Sequence, residues 1–188
     1  MEVDRIKQEI EKRLTNDRYL HVLRVVETAK AFALRHDISV EKAELAALLH
    51  DVAKCMSKQE LASYLEKDPE AAFYRSFHPE LWHAPVGAII ARDKFGVRDA
   101  DILQAIRFHT TGRAHMSPLE KLIYVADLIE PGRQFPGLDD LRKEAGKSVD
   151  AGMRAAICHS IQYLLSKQVQ IFPSSIHCYN EHVIRKEQ

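Results

Sequence analysis

The stretch Leu48-Leu49-His50-Asp51-Val52-Ala53-Lys54 most restricts how this chain can fold. A histidine and an aspartate stand side by side after a run of alanines and leucines, where a buried helix is otherwise expected. An isolated carboxylate in such a place is costly enough that it takes up a proton unless it finds partners. The fold must therefore bring something to this point, either a counter-charge or a cation. Lys54, one turn beyond His50, is the nearest counter-charge, and an Asp51–Lys54 pair at a helix end is the simplest solution. A metal ion is the other solution, because imidazole nitrogen and carboxylate oxygen together suit iron, manganese or zinc.

Seven glycines and seven prolines among 188 residues fall at punctuation points, and the segments between them carry helical periodicity. A short charged helix is expected over residues 2–12. Thr15 or Asn16 caps a second reaching about His36, with Leu20, Leu23, Val26, Ala29 and Ala33 as its inward stripe. Ser39 caps a third that leads into His50, and Ser57 with Glu60 forms a capping box for a fourth. A short helix over 69–77 follows; Pro79 then begins one reaching about Phe95, which Pro85 kinks or restarts. Helices over Asp99 to His109, Pro118 to Glu130, 138–145 and 148–170 come next, with a last one from Ser174 or Ser175. No segment has the alternation of a convincing strand, so the expected class is all-α.

Twenty-seven basic and 27 acidic residues cancel, which gives no general electrostatic reason to expect a nucleic-acid or membrane partner. No apolar run approaches the roughly 18 residues that span a bilayer, and the opening Met1-Glu2-Val3-Asp4-Arg5 lacks the pattern of a signal peptide. Cys55, Cys158 and Cys178 are odd in number and far apart, so a reducing cytoplasm is the expected setting.

Other polar residues fall where they could complete a site. His21 shares a helix face with Val25, Thr28 and Phe32, and reads as a hydrogen-bonded buried histidine or as a ligand. Asp127 borders the stripe Leu119, Leu122, Ala126 and Ile129; it either bridges to a neighbouring helix or joins His21, His50 and Asp51 in a set of two nitrogens and two oxygens. Drawing four ligands from three helices is a common way to build a metal site in a helical core. His83 lies four residues before Gly87, which permits close helix approach, and His109 lies at a helix C-terminus where the dipole alone would favour it. Together these two can contact phosphate, protonate a leaving oxygen or ligate a second metal. Trp82 suits base stacking or simple packing; His36, His159 and His182 suit helix surfaces; His78 and His115 suit loops or caps; Cys55 reads as inert.

In order along the chain stand Tyr19-Leu-His21 with Arg24, the block Leu48 to Lys54, His83-Ala-Pro-Val-Gly87, His109-Thr-Thr-Gly112, and Lys121 through Ala126-Asp127-Leu-Ile-Glu-Pro-Gly-Arg133. This series resembles the HD-domain metal-dependent phosphohydrolases and, more narrowly, the bacterial YqeK-type symmetrical diadenosine tetraphosphate hydrolases. The resemblance implies a single helical HD-type domain over 1–188, with a motif core at 19–133 and the helices of 138–188 packed on it. It implies iron held by His21, His50, Asp51 and Asp127, with manganese, cobalt or another divalent ion able to substitute and room for a second metal. Asp51, His83 and His109 are its catalytic group; Arg24, Lys54, His83, His109, Arg133, Pro173 and Asn180 are its substrate contacts. The expected reaction is attack by metal-activated water that severs the central phosphoanhydride and gives two ADP. Another nucleotide or dinucleoside polyphosphate is the alternative substrate, and a nucleotide-binding sensor or assembly protein without turnover is the alternative class. A homodimer is allowed but not required. The chain departs from the pattern at Phe172, where the family is expected to have a histidine before the proline.

Overall fold

In this computed structural model, residues 3–184 are described, and no strand occurs among them. Residues 1–2 and 185–188, which include the start of the expected first helix and both ends of the expected domain, lie outside the described residues. The helices are α1 (Val3–Glu11), α2 (Asn16–Arg35), α3 (Val40–Leu49), α4 (Lys58–Leu65), α5 (Ala71–Arg75) and α6 (His83–Lys94). A 3-10 turn (Pro79–Leu81) precedes α6, and α7 (Ala100–Phe108), α8 (Pro118–Ile129), α9 (Leu138–Ala145), α10 (Val149–Ser166) and α11 (Pro173–His182) follow. The expected all-α class holds.

Helix starts follow the side chains that can satisfy free N–H groups. Thr15 accepts from the Arg18 N–H, Ser39 from that of Lys42, and Ser57 with Glu60 closes a capping box. Ser117 and Glu120 form a second box in front of α8. Pro85 does not kink α6: it is the third residue of the helix, where its missing N–H would have had no partner within the helix. Helix α10 stops at Ser166, short of residue 170, because Gln168 turns to φ +53.

Helix α3 is buried to its end, with α2, α7 and α8 packed around it. Val26, Ala29 and Ala33 of the expected α2 stripe are buried, but the face is wider and turned toward His21, Val22, Val25 and Phe32, so that Leu20 is 43% exposed. Rotating His21 inward carries the residue before it out. Gly87 lets α6 close on the same point, since a Cβ there would lie 3.3 Å from Ile106 and 3.4 Å from the His50 carbonyl oxygen. The ends of α3 and α7 and the start of α6 therefore meet. Helices α9 and α11 pack on α10, and α10 lies against α8. No helix among the described residues is long and apolar enough to cross a membrane.

Candidate metal centre

His50 caps α3, Asp51 follows it, His21 faces them from α2 and Asp127 from α8. His21 Nε2 lies 3.0 Å from Asp127 Oδ1 and 3.8 Å from Asp51 Oδ2. His50 Nε2 lies 3.5 Å from that Asp51 oxygen and 4.0 Å from that Asp127 oxygen. The other Asp51 oxygen, Oδ1, faces a second pair: His83 Nε2 at 3.3 Å and His109 Nε2 at 3.7 Å. Those two nitrogens are themselves 3.1 Å apart. One carboxylate thus stands between two groups of imidazoles.

All four rings are held from behind. The Nδ1 atoms of His50, His83 and His109 lie 2.6, 2.6 and 2.7 Å from the carbonyl oxygens of Ala47, Glu80 and Ile106, in each case three residues earlier. His21 Nδ1 instead meets Glu130 Oε1 at 3.0 Å. A ring that donates from Nδ1 to an oxygen keeps a lone pair on Nε2, the arrangement used by metal-binding histidines.

Burial and charge act against each other here. Burial disfavours the His50 imidazolium, yet Asp51 and then Asp127 raise its pKa above the ordinary value. Burial likewise disfavours the Asp51 carboxylate, but His50, His109 and His83 hold its pKa well below the usual range. Asp127 is also lowered, with His21, His50 and Arg133 overcoming its burial. His109 goes the other way: burial, aided by His50 and His83, pushes it down to about 4 despite Asp51. It is a neutral ring at physiological pH, able to offer an Nε2 lone pair.

The residues fit a divalent cation. The Nε2 atoms of His21 and His50 are buried and face the Asp127 and Asp51 oxygens without an aligned hydrogen bond to either, a state expensive to leave uncompensated. His21, His50 and Asp127 each present one donor atom, all within 4.8 Å of one another, and so do His50, Asp51 and His109. Mixed imidazole and carboxylate donors suit first-row transition ions.

Residues 18–132 match the HD domain family. This chain belongs to it. A symmetrical bis(5'-nucleosyl)-tetraphosphatase of Bacillus subtilis (strain 168) is 42% identical over 171 residues, spanning 91% of this chain and 92% of that one. The enzyme of the same description from Staphylococcus aureus (strain NCTC 8325 / PS 47) is 35% identical, spanning 96% and 94%. A crystal structure described as a predicted HD superfamily hydrolase involved in NAD metabolism, from Clostridium acetobutylicum, aligns with a TM-score of 0.89 at 33% identity and covers 97% of both chains.

Around this HD centre the other expected residues are placed unevenly. Arg133 reaches Asp127, with Nε 2.9 Å from its carbonyl oxygen and Nη2 against its carboxylate. Arg24, expected on phosphate, has its Nε 2.7 Å from Glu130 Oε2. Lys54 does not pair with Asp51; its Nζ lies 2.9 Å from Glu80 Oε2, so the simple counter-charge solution is not the one adopted. Pro173 begins α11 and Asn180 is exposed further along it. Cys178 of that helix packs under the His109-Thr-Thr-Gly112 segment: Gly112 has φ +63, and a Cβ there would meet Cys178 Sγ at 2.6 Å. Phe172, in the place of the expected histidine, is buried against Phe73, Tyr74 and Phe77, an apolar anchor for the segment.

Two residues at the centre were not singled out by the sequence. Arg18 Nη1 lies 2.9 Å from Asp51 Oδ2, and the signal that could have found it is its position one turn before His21 on the same helix face. Glu130, 1% exposed, stands behind His21. Trp82 is buried and donates to the Tyr74 carbonyl oxygen at 2.8 Å, which settles it as packing. His78 caps the 3-10 turn, His115 is exposed beside Glu181, and His159 stacks on Phe135.

Proposed function

We propose that this chain hydrolyses diadenosine tetraphosphate symmetrically, yielding two ADP, at a centre in which His21, His50, Asp51 and Asp127 hold iron. The observation that carries the reading is the pair of orphaned imidazole nitrogens facing two carboxylates, in a chain 42% identical to a symmetrical tetraphosphatase over nearly its whole length. The donor geometry supports a divalent ion, and iron is the choice the family resemblance favours. When bound, such an ion acts as a Lewis acid on phosphate oxygens and makes water more acidic.

The chain's own residues supply the rest. Water oxygen bonds to one inner phosphorus, the central P–O–P bridge breaks on that side, and the electron pair leaves with the other ADP. Asp51, with its two oxygens facing different imidazole groups, fixes where the nucleophile and the scissile phosphate meet. Arg18 and Arg133, anchored to Asp51 and Asp127, place positive charge at the rim, where polyphosphate oxygens gain charge-assisted hydrogen bonds. His83 and His109 line the far side, their Nε2 atoms facing Asp51 Oδ1, as partners for phosphate or for a second ion. Lys54, paired with Glu80 Oε2, adds positive charge for the polyphosphate. Pro173 and Asn180, on the helix that packs under the His109 loop, are the nucleoside-side contacts of this reading.

The test is a product panel after metal removal and reloading with iron, manganese or cobalt, run across dinucleoside tri-, tetra- and pentaphosphates. ADP as the sole product of the tetraphosphate is expected. AMP plus ATP, or binding without turnover, would overturn it.

A further inference from the structure

Three of the four rings are braced by main-chain carbonyls, whereas His21 alone is braced by a side chain. That side chain is unusually well fixed. Glu130 Oε1 meets His21 Nδ1 at 3.0 Å, while Oε2 receives both the Arg24 Nε–H at 2.7 Å and the Gly132 N–H at 2.5 Å. Its own carbonyl accepts from Arg142 Nη2 at 3.0 Å, tying the residue to α9. Gly132 is required by the same arrangement, since a Cβ there would lie 2.5 Å from Arg24 Nε and 2.7 Å from its Cζ.

We infer that Glu130 is a positioning residue which, clamped by Arg24 and Gly132, selects the His21 tautomer and thereby sets the affinity of the metal centre. The inference rests on the metal-centre reading above and reassigns Arg24 from substrate contact to clamp. The chemistry is directional. Two N–H donors converge on Oε2, so that position must remain an acceptor, and a carboxylate leaves the other oxygen to accept from His21 Nδ1. An amide cannot serve both sides. In Glu130→Gln the amide oxygen stays with Arg24 and Gly132, its NH2 group faces His21 Nδ1, and the ring proton moves to Nε2. That removes the lone pair directed at the ligand position.

The experiment uses Mn2+ as probe and no nucleotide. In the metal-free protein with 15N-labelled histidine, long-range 1H–15N correlations report the tautomer of each ring, and Mn2+ binding is followed by loss of the free-ion EPR signal. Glu130→Gln is expected to switch His21 alone to the Nε2–H form and to weaken Mn2+ binding about 10- to 100-fold, the range of lost outer-shell partners. Retention of the Nδ1–H form with unchanged Mn2+ affinity would overturn the inference. Should Glu130→Gln not fold, Arg24→Met decides, because that side chain is 39% exposed and carries little of the core. Weaker Mn2+ binding by Arg24→Met, up to about tenfold, supports the clamp; unchanged Mn2+ binding with a raised KM for the dinucleotide overturns it and returns Arg24 to the substrate. A parent protein that binds no Mn2+ would instead sink the metal-centre reading itself.

Discussion

Two buried polar clusters in this molecule invite comparison. At one, Asp68, 5% exposed, accepts from Nη1 and Nη2 of Arg107 and from the Glu70 N–H; Arg107 also reaches Glu70 Oε2 at 2.7 Å and lies 5.3 Å above the Tyr74 ring. Charge, hydrogen bonds and ring faces are all satisfied within the cluster. At the other, four imidazoles and two carboxylates crowd together while two ring nitrogens find no partner. Burial of charge is common to both; incompleteness belongs only to the second. The difference separates a cluster that holds the fold from one arranged for a guest.

The largest expected effect tests the incomplete cluster. Asp51→Ala removes the carboxylate shared by both imidazole groups, and several kcal/mol of transition-state stabilisation go with the metal, so turnover should fall by at least about a thousandfold. Metal analysis and ADP release check this. Full metal occupancy at a near-native rate would remove Asp51 from the centre. Arg107→Leu is the converse: it strands Asp68 and should cost about 3–5 kcal/mol in urea unfolding, with the rate per folded molecule unchanged. A stable Arg107→Leu protein with impaired turnover would erase the distinction between the clusters.

Smaller effects sharpen it. Arg133→Ala should raise KM for the tetraphosphate roughly tenfold or more, the value of a lost charge-assisted hydrogen bond, with a lesser change in kcat. Unchanged kinetics would take Arg133 off the phosphates. The smallest effect concerns acid. Burial works against the Asp68 carboxylate, but Arg107 and the Glu70 N–H hold its pKa below the ordinary value. Its stabilisation is therefore complete above the unfolded value of about 3.9 and is lost as pH falls through the lower folded value. Urea midpoints measured from about pH 5 downward should show this slope in the parent and a shallower one in Arg107→Leu.

Much of this was legible in the residues because it is local. Ser57 with Glu60, Ser39 and Pro118 mark helix starts through hydrogen bonds spanning a few residues. His50-Asp51 stands out because a charge in an apolar run has few bland explanations. What stayed hidden depends on rotation and long-range approach. On α2 the sequence points to Val26, Ala29 and Ala33 correctly, but apolar residues continue on both sides of that line, and only packing against α3 and α8 decides that the His21 side is buried and Leu20 is not. Arg18, beside Asp17 in a polar first turn, reads as solvated until Asp51 is brought to it from 33 residues away. Glu130 reads as a helix end, and nothing local says that its carboxylate turns back toward His21 across 109 residues of chain.

The carbonyl braces behind His50, His83 and His109 have a hereditary consequence. A main-chain oxygen is present whatever codon encodes its residue, so substitutions at Ala47, Glu80 or Ile106 leave those props in place as long as the helices keep their course. Only the prop behind His21 is written in a side chain. Mutation can therefore adjust the grip on the guest ion at that one corner, through Glu130 and the residues that hold it, while the other three rings stay beyond its reach.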